Sequence, residues 1–166
     1  MLLGMRRVAV VVAALIYVSA ASGSTQRVIA SGGVRVTVPT QWHRLAPVRG
    51  VYVSPKTLLV VGSPGVVPTA TGCQIAAYKI PSGGAAVVVV GWDAVQTSNP
   101  VDTGLAPLRK LTMAKPHTFE CYPGKGDAAS LVLKGRAYQV NVMVGAHATP
   151  QAVAAALAVA RSFRLR

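Results

Sequence analysis

Alternating apolar and polar residues mark the start of the folded part of the chain. Residues 28–30 are followed by Gly32-Gly33 and then by the alternating run Val34-Arg35-Val36-Thr37-Val38-Pro39. This pattern predicts a β-hairpin whose second strand buries its three valines on one face. The two glycines supply the positive φ angles of a tight hairpin turn, and Trp42, just beyond the strand, is expected to fill the core.

The middle of the chain contains further strand patterns. Residues 57–61 form a short apolar strand, and residues 73–80 and 85–92 are predicted to pair as a second hairpin across Pro81-Ser82-Gly83-Gly84. The run Val87-Val88-Val89-Val90 is apolar throughout, which is typical of a central strand covered on both faces. The next predicted elements are a strand over 118–122, a turn over 123–127, and a third hairpin formed by 128–133 and 136–144.

The end of the chain has the pattern of one helix. Thr149 and Pro150 fit the N-cap and the first helical position, and the Ala-rich segment Gln151 to Arg161 follows them. A second, short helix is predicted near Leu105 to Leu111. The elements together predict an α+β fold class, a mostly antiparallel β-sheet with a C-terminal α-helix packed on it.

The first 23 residues have the three-part pattern of a secretory signal peptide, with Arg6-Arg7, an apolar run and small residues up to Gly23. The apolar run, Val8 to Val18, has 11 residues, whereas a transmembrane helix takes about 20. We therefore expect residues 24–166 to form a single exported domain that is secreted or extracytoplasmic and has no transmembrane segment. The sequence is compatible with a free or an envelope-associated mature protein.

Two cysteines, Cys73 and Cys121, lie in the exported part. In an oxidising compartment an even pair is most simply a structural disulfide. This one would close a loop of 48 residues in sequence separation, which the chain-entropy model values at roughly 4 kcal/mol. The alternatives are a catalytic thiol and half of a metal site. Because zinc ligands usually come in closely spaced pairs, we predict no metal ligand.

Basic residues far outnumber acidic ones, with 17 Lys and Arg against four Asp and Glu. Without Arg6 and Arg7 the exported part has fifteen against four, a net charge of +11. Such a charge attracts polyanions over a Debye length of about 8 Å at physiological salt, although it also serves solubility. Candidate partners are wall polymers, anionic lipids and acidic polysaccharides. The few aromatic residues give no pattern for specific nucleic-acid binding.

Catalytic motifs are absent from the sequence, which has neither G-x-S-x-G nor S-x-x-K. The three histidines are at positions 43, 117 and 147. His117 and Cys121 are four apart and could join Cys73 and His43 in a zinc site, but the cysteines are 48 apart, which is not the close spacing typical of zinc ligands. We therefore expect no catalytic residues, no cofactor and no enzymatic activity. An atypical enzyme is the less favoured alternative.

Two stretches resemble a known family. The strand, proline and tryptophan of Val34 to Trp42 look like the opening of PsbP-like and Mog1-like domains. The strand 136–144, the helix 151–161 and Ser162-Phe163 are similar to the closing elements of those domains. The resemblance implies an α/β/α-type sandwich around a central antiparallel sheet. It also implies a role in binding or assembly without catalytic residues.

We therefore expect an exported, non-catalytic binding or assembly module. Residues 93–115 are poorly patterned, and long loops in compact domains often carry function. This loop contains Arg109, Lys110 and Lys115, which are predicted to bind a protein or an anionic envelope component. The alternative is an extracytoplasmic polyanion binder that contacts a wall polymer or anionic lipid through its overall charge.

Overall fold

A six-stranded antiparallel sheet forms the centre of the structure. The computed structural model describes residues 25–48, 54–69, 73–93, 101–114 and 122–166, and the backbone of 117–119. In chain order its elements are β1 (Gln26–Ser31), β2 (Val34–Pro39), β3 (His43–Arg44), β4 (Lys56–Gly62), β5 (Val67–Pro68), β6 (Tyr78–Lys79), β7 (Ala85–Gly91), α1 (Ala106–Arg109), β8 (His117–Phe119), β9 (Tyr122–Leu133), β10 (Arg136–Val144), α2 (Pro150–Arg161) and β11 (Arg164–Leu165).

The central sheet has the strand order β3-β4-β7-β10-β9-β8, and every neighbouring pair is antiparallel. A three-stranded sheet, β1-β2-β11, and a two-stranded one, β5-β6, complete the fold. With α2 packed on β2, β7 and β10, the predicted α+β class is confirmed.

The first hairpin forms as the alternating pattern predicts. Gly32 and Gly33 both have positive φ, at 57° and 78°, and they connect β1 to β2 through a two-residue turn. The three valines of β2 are buried on one face, and Trp42 is also buried. Strand β11 pairs with the edge of β2 that is opposite to β1, so the segment after α2 lies beside the first hairpin.

Strand β7 is the most deeply buried part of the sheet. Its four consecutive valines, Val87 to Val90, are all 0% exposed. Val87 and Val89 belong to the core under α2, whereas Val88 and Val90 pack against Ala77 and Tyr78 on the opposite face. The prediction of a central strand covered on both faces is therefore confirmed, since β7 lies between β4 and β10 and each of its faces packs into a separate core.

Helix α2 begins and packs as its sequence predicts. The Thr149 hydroxyl accepts a hydrogen bond from the N–H of Ala152 at 3.2 Å, and Pro150 is the first helical residue. Such a cap typically contributes about 1 kcal/mol. Just after the helix, Phe163 is fully buried, and its ring centroid lies 5.7 Å from that of Tyr138 on β10.

Two sequence predictions are wrong. The segment 73–80 does not pair with β7; its only strand residues, Tyr78 and Lys79, pair with Val67 and Pro68. Most of this segment instead lies across the sheet, where Ala76, Ala77 and Tyr78 are buried in the second core. The apolar residues that suggested a strand are therefore buried by tertiary packing rather than by pairing with β7.

The predicted turn over residues 123–127 is also wrong, because β9 runs through it without interruption. Gly124 does not have a positive φ. Its missing side chain makes room for the ring of Tyr122, since a Cβ atom at 124 would lie 2.5 Å from that ring. The glycine thus serves close packing within a strand rather than a reversal of the chain.

The predicted signal peptide, residues 1–23, lies outside the described residues. Within the described ranges, neither helix is long and apolar enough to cross a membrane.

Candidate anion-binding site

The predicted partner-binding residues begin at the short helix α1. Arg109 is its last residue and Lys110 its C-cap, and both are exposed. Leu108 and Leu111 on either side are buried in the core, at 1% and 3% exposure. Two leucines thus anchor a segment that carries two cations at the surface. The third predicted residue, Lys115, lies outside the described residues.

Arg161 connects this segment to the end of α2. It is the last residue of that helix, and its guanidinium Nη2 donates a 2.7 Å hydrogen bond to the main-chain oxygen of Leu111. Because Leu111 directly follows Lys110, the contact brings the C-terminal end of α2 next to the predicted basic segment. A cation here also interacts favourably with the negative end of the helix dipole.

Two more arginines lie beyond the helix end. Arg164 on β11 is the direct cross-strand partner of Arg35 on β2, a position in which Cβ atoms are about 5 Å apart. Nη1 of Arg164 donates to the main-chain oxygens of Arg161 and Phe163, at 3.0 and 2.6 Å. We call Arg35, Lys110, Arg161 and Arg164 the basic ridge; all four are exposed.

No ion pair neutralises the basic ridge in the described part of the chain, because the acids there have other partners. Asp93 pairs with Lys56 at 2.7 Å and more weakly with Arg136 at 3.7 Å. The hydrogen bond and charge of Lys56 hold the pKa of Asp93 below its ordinary value. Asp102 accepts hydrogen bonds from the N–H groups of Gly104 and Lys134, at 2.8 and 3.0 Å, which lower its pKa.

The third described acid, Asp127, is buried at 8% exposure. Its carboxylate accepts hydrogen bonds from the N–H groups of Thr112 at 2.7 Å and Ala128 at 2.9 Å. It therefore holds the chain just after α1 against β9. Its role in the fold is to position the segment that carries the ridge residue Lys110.

Of the histidines and cysteines weighed as metal ligands, the structure describes the side chains of His43, His147 and Cys73 but not that of His117. Nε2 of His43 lies 3.3 Å from the main-chain oxygen of Val66, and His147 is exposed. Cys73 is disulfide-bonded, while the chain's other cysteine, Cys121, lies outside the described residues. Among the residues that the structure describes, no three His, Cys, Asp or Glu side chains lie close enough together to hold a metal ion.

The sequence interpretation named one residue of the basic ridge, Lys110, and missed the three arginines. Arg161 and Arg164 stand close together in the C-terminal segment Arg161-Ser162-Phe163-Arg164-Leu165-Arg166. That spacing was a usable signal, because three arginines within six residues form the densest basic run of the chain. Arg35 had no such signal, since only strand pairing brings it to Arg164.

Comparison with known proteins identifies no family for this chain. No family model matches the chain, and no curated protein matches it significantly. The resemblance to PsbP-like and Mog1-like domains stays a prediction from short motifs.

Proposed function

We propose that this protein is an exported, non-catalytic binding module whose basic ridge binds an anionic polymer outside the cytoplasm. The observation that supports this most is the cross-strand pair Arg35–Arg164. Like charges placed directly opposite each other on a sheet lower the stability of the fold. An anion that contacts both arginines would remove that cost and convert it into binding energy.

The exposure of the ridge favours a polymer over a small anion. Its four cations come from β2, the end of α1, α2 and β11, and all are exposed to water. A single exposed ion pair contributes only about 0–1 kcal/mol. A polymer contacts several cations at once, and linked contacts reinforce one another through effective concentration.

The chemistry of the ridge favours oxyanions. Three of its four cations are arginines, whose planar guanidinium groups form paired hydrogen bonds with phosphate and carboxylate. In Arg161 and Arg164 some of the donors are already held by main-chain oxygens. These bonds fix the orientation of the side chains, so less conformational entropy is lost when an anion binds.

Two further observations support the proposed location outside the cytoplasm. Residues 1–23 have the pattern of a signal peptide, and Cys73 is disulfide-bonded, as is usual for proteins in oxidising compartments.

The test compares two variants of equal net charge. One replaces three ridge residues (Arg35→Gln, Arg161→Gln, Arg164→Gln), and the matched control replaces three exposed cations elsewhere (Arg44→Gln, Lys79→Gln, Lys125→Gln). Binding of fluorescently labelled polyphosphate is measured by anisotropy from 50 to 300 mM NaCl. We expect the ridge variant to lose roughly 10- to 100-fold in affinity at low salt, since each cation near an anionic surface contributes about 1 kcal/mol. Its salt dependence should also weaken by about one unit of slope per lost contact.

The control variant should lose less than roughly threefold under the same conditions. Equal losses in the two variants would show that only net charge matters, and the ridge would then not be a site. Failure of the wild-type protein to bind polyphosphate at 50 mM NaCl would overturn the proposed function altogether. Thermal melting of each variant confirms that the fold is intact.

A further inference from the structure

Strand β1 has one edge that the fold leaves unpaired. It is the terminal strand of the three-stranded sheet and pairs with β2 alone. The two-residue turn at Gly32-Gly33 makes Ser31 and Val34 a hydrogen-bonded pair, and such pairs occur at every second position of an antiparallel ladder. The N–H and C=O groups of Val28 and Ala30 therefore point away from β2.

The residue opposite Val28 shows the same alternation. Val28 lies opposite Thr37, whose N–H donates to Oγ of Ser162 at 2.8 Å and whose main-chain oxygen accepts from the same hydroxyl at 3.3 Å. Both main-chain groups of Thr37 thus point away from β1, as they do in a non-hydrogen-bonded pair. Within the part of the chain that the structure describes, no hydrogen bond reaches the outward main-chain groups of Val28 and Ala30.

Strand β1 lacks the features that usually protect a sheet edge. Natural edge strands are often very short, bulged, or guarded by proline or by charge. This strand has six residues without a proline, and its register with β2 is unbroken. The charged residue of the strand, Arg27, donates a hydrogen bond to the main-chain oxygen of Trp42. Val28 is 59% exposed, so the edge is apolar as well as unpaired.

The sheet surface beside this edge is positively charged. Ala30, Arg35 and Arg164 form one cross-strand row over β1, β2 and β11. Because Ile29 is buried, the side chains of Val28 and Ala30 lie on the outer face. A strand added beside β1 would lie about 10 Å from β2, since neighbouring strands are about 4.8 Å apart. The small methyl group of Ala30 leaves the space between open, so an acidic side chain opposite Ala30 can approach the guanidinium of Arg35.

We propose that the edge of β1 binds an extended acidic segment of a partner protein, which adds to the sheet as an antiparallel strand. An apolar residue of the segment lies opposite Val28, and an acidic residue two positions before it lies opposite Ala30. In strand addition the main-chain hydrogen bonds supply affinity and the alternate side chains supply specificity. This inference goes beyond the anionic polymer of the proposed function, because it depends on main-chain groups of β1, which the basic ridge does not contain.

Charge favours an acidic segment over a second copy of this chain. Strand β1 contains no acid that could approach Arg35 of another copy. Two exported domains also repel each other, since each has fifteen basic and four acidic residues, a net charge of +11.

The experiment uses a blocked seven-residue peptide with glutamate at its second position, valine at its fourth and threonine elsewhere. It is titrated into the isotopically labelled protein at 150 mM NaCl, and the amide chemical shifts and hydrogen exchange are measured by NMR. We expect shifts at Val28 and Ala30 and slower exchange of their N–H groups, because each gains an acceptor. The N–H of Ile29, which already faces β2, should change far less.

Methylated peptides separate main-chain pairing from attraction by charge. N-methylation of the peptide valine removes the donor that faces the oxygen of Val28 and should weaken binding roughly tenfold. N-methylation of the threonine that follows is the matched control and should have little effect, because its N–H points away from β1. Glutamine in place of the glutamate should weaken binding about threefold, as expected for an exposed ion pair.

Two pairs of variants test the protein side. Val28→Pro removes the outward N–H at an edge position where proline is accepted, and it should weaken peptide binding roughly tenfold while polyphosphate binding stays unchanged. Val28→Thr keeps the N–H and should bind the peptide nearly as wild type does. Ala30→Glu should abolish the preference for glutamate over glutamine in the peptide, whereas Ala30→Gln should keep it.

The outcomes separate this inference from the proposed function. Peptide binding that is equally sensitive to both methylations would show attraction by charge alone, and it would overturn the inference while the ridge proposal stands; this test holds even if Val28→Pro does not fold. Absence of shifts at Val28 and Ala30 would also overturn it. Protection of these two N–H groups that rises with protein concentration in the absence of peptide would instead assign the edge to a second copy and refute the acidic partner.

Discussion

Arg164 on β11 lies directly opposite Arg35 on β2, although 129 positions separate the two residues in the sequence. The arrangement costs stability through charge repulsion, and in the described part of the chain no carboxylate forms an ion pair with either residue. The two residues flank the deeply buried Val34 and Phe163. Burial of these apolar neighbours fixes both strands and therefore forces the arginines together.

Relief of this repulsion should be measurable. We predict that Arg35→Thr raises the free energy of unfolding by about 0.2–1 kcal/mol at low salt, while it weakens binding to polyphosphate. The gain should shrink toward zero in 0.5 M NaCl because salt screens exposed charges. Arg44→Thr is the control, since Arg44 faces Val61 rather than a cation. Urea unfolding at two salt concentrations checks the prediction; a loss of stability in Arg35→Thr at low salt would contradict it.

The two exposed acids, Asp93 and Asp102, should respond alike to acid but differently to salt. Both Asp93 and Asp102 have lowered pKa values, the first mainly through Lys56 and the second through main-chain N–H groups. Each therefore contributes stability that is present above the ordinary carboxyl pKa and is lost as the pH falls through the lowered value.

We predict that Asp93→Asn and Asp102→Asn are both less stable than wild type at pH 7, and that both differences disappear as the pH falls through the lowered pKa values. At pH 7, 0.5 M NaCl should remove most of the Asp93 effect, which is an exposed ion pair. It should leave the Asp102 effect, which consists of hydrogen bonds to the backbone. Denaturant unfolding from pH 2.5 to 7 measures both. A salt-sensitive Asp102 effect would contradict this account.

The hydroxyl of Tyr122 should ionise at an unusually high pH. Burial raises its pKa to about 12, and its hydroxyl donates a 2.7 Å hydrogen bond to the main-chain oxygen of Val144. The folded state therefore loses stability as the pH rises from the ordinary tyrosine pKa of about 10 toward the raised value. We predict that Tyr122→Phe removes one ionisation near pH 12 from the ultraviolet titration and costs about 1 kcal/mol at pH 7. A titration curve that the substitution leaves unchanged above pH 11 would refute the assignment.

The disulfide of Cys73 should contribute substantially to stability. We predict that Cys73→Ser lowers the free energy of unfolding by about 2–4 kcal/mol. Reductant should destabilise the wild-type protein by a similar amount and leave the variant unaffected. Intact-mass spectrometry, with and without reductant, checks the pairing. If Cys121 is the partner, the oxidised chain is lighter by two hydrogen atoms and Cys121→Ser behaves as Cys73→Ser does.

The local sequence pattern predicts most of the strands and helices of this fold, but it does not predict which strands pair with each other. Four valines in a row at 87–90 predict a strand covered on both faces, because an exposed face would favour polar residues there. The pairing of β7 with β4 and β10 depends on contacts across long stretches of chain. The turn residues 81–84 instead suggested the nearest available partner, and that prediction was wrong.

The candidate site shows the same division. Lys110 could be proposed because it lies in a basic, poorly patterned loop. Arg35 looked like an ordinary outward residue of an alternating strand, and nothing local distinguishes it from Arg27 or Arg44. Arg35 becomes a candidate site residue only in the folded structure, where β11 pairs with β2 and places Arg164 opposite it.

The return of β11 to β2 also determines when the protein can fold. The first hairpin needs the last strand to complete its sheet, and it needs Phe163 to fill the core beneath it. A chain made from its N-terminus therefore cannot finish this sheet until Arg164 and Leu165 are available. Contacts of such large sequence separation slow folding, so this three-stranded sheet is expected to be among the last parts of the fold to form.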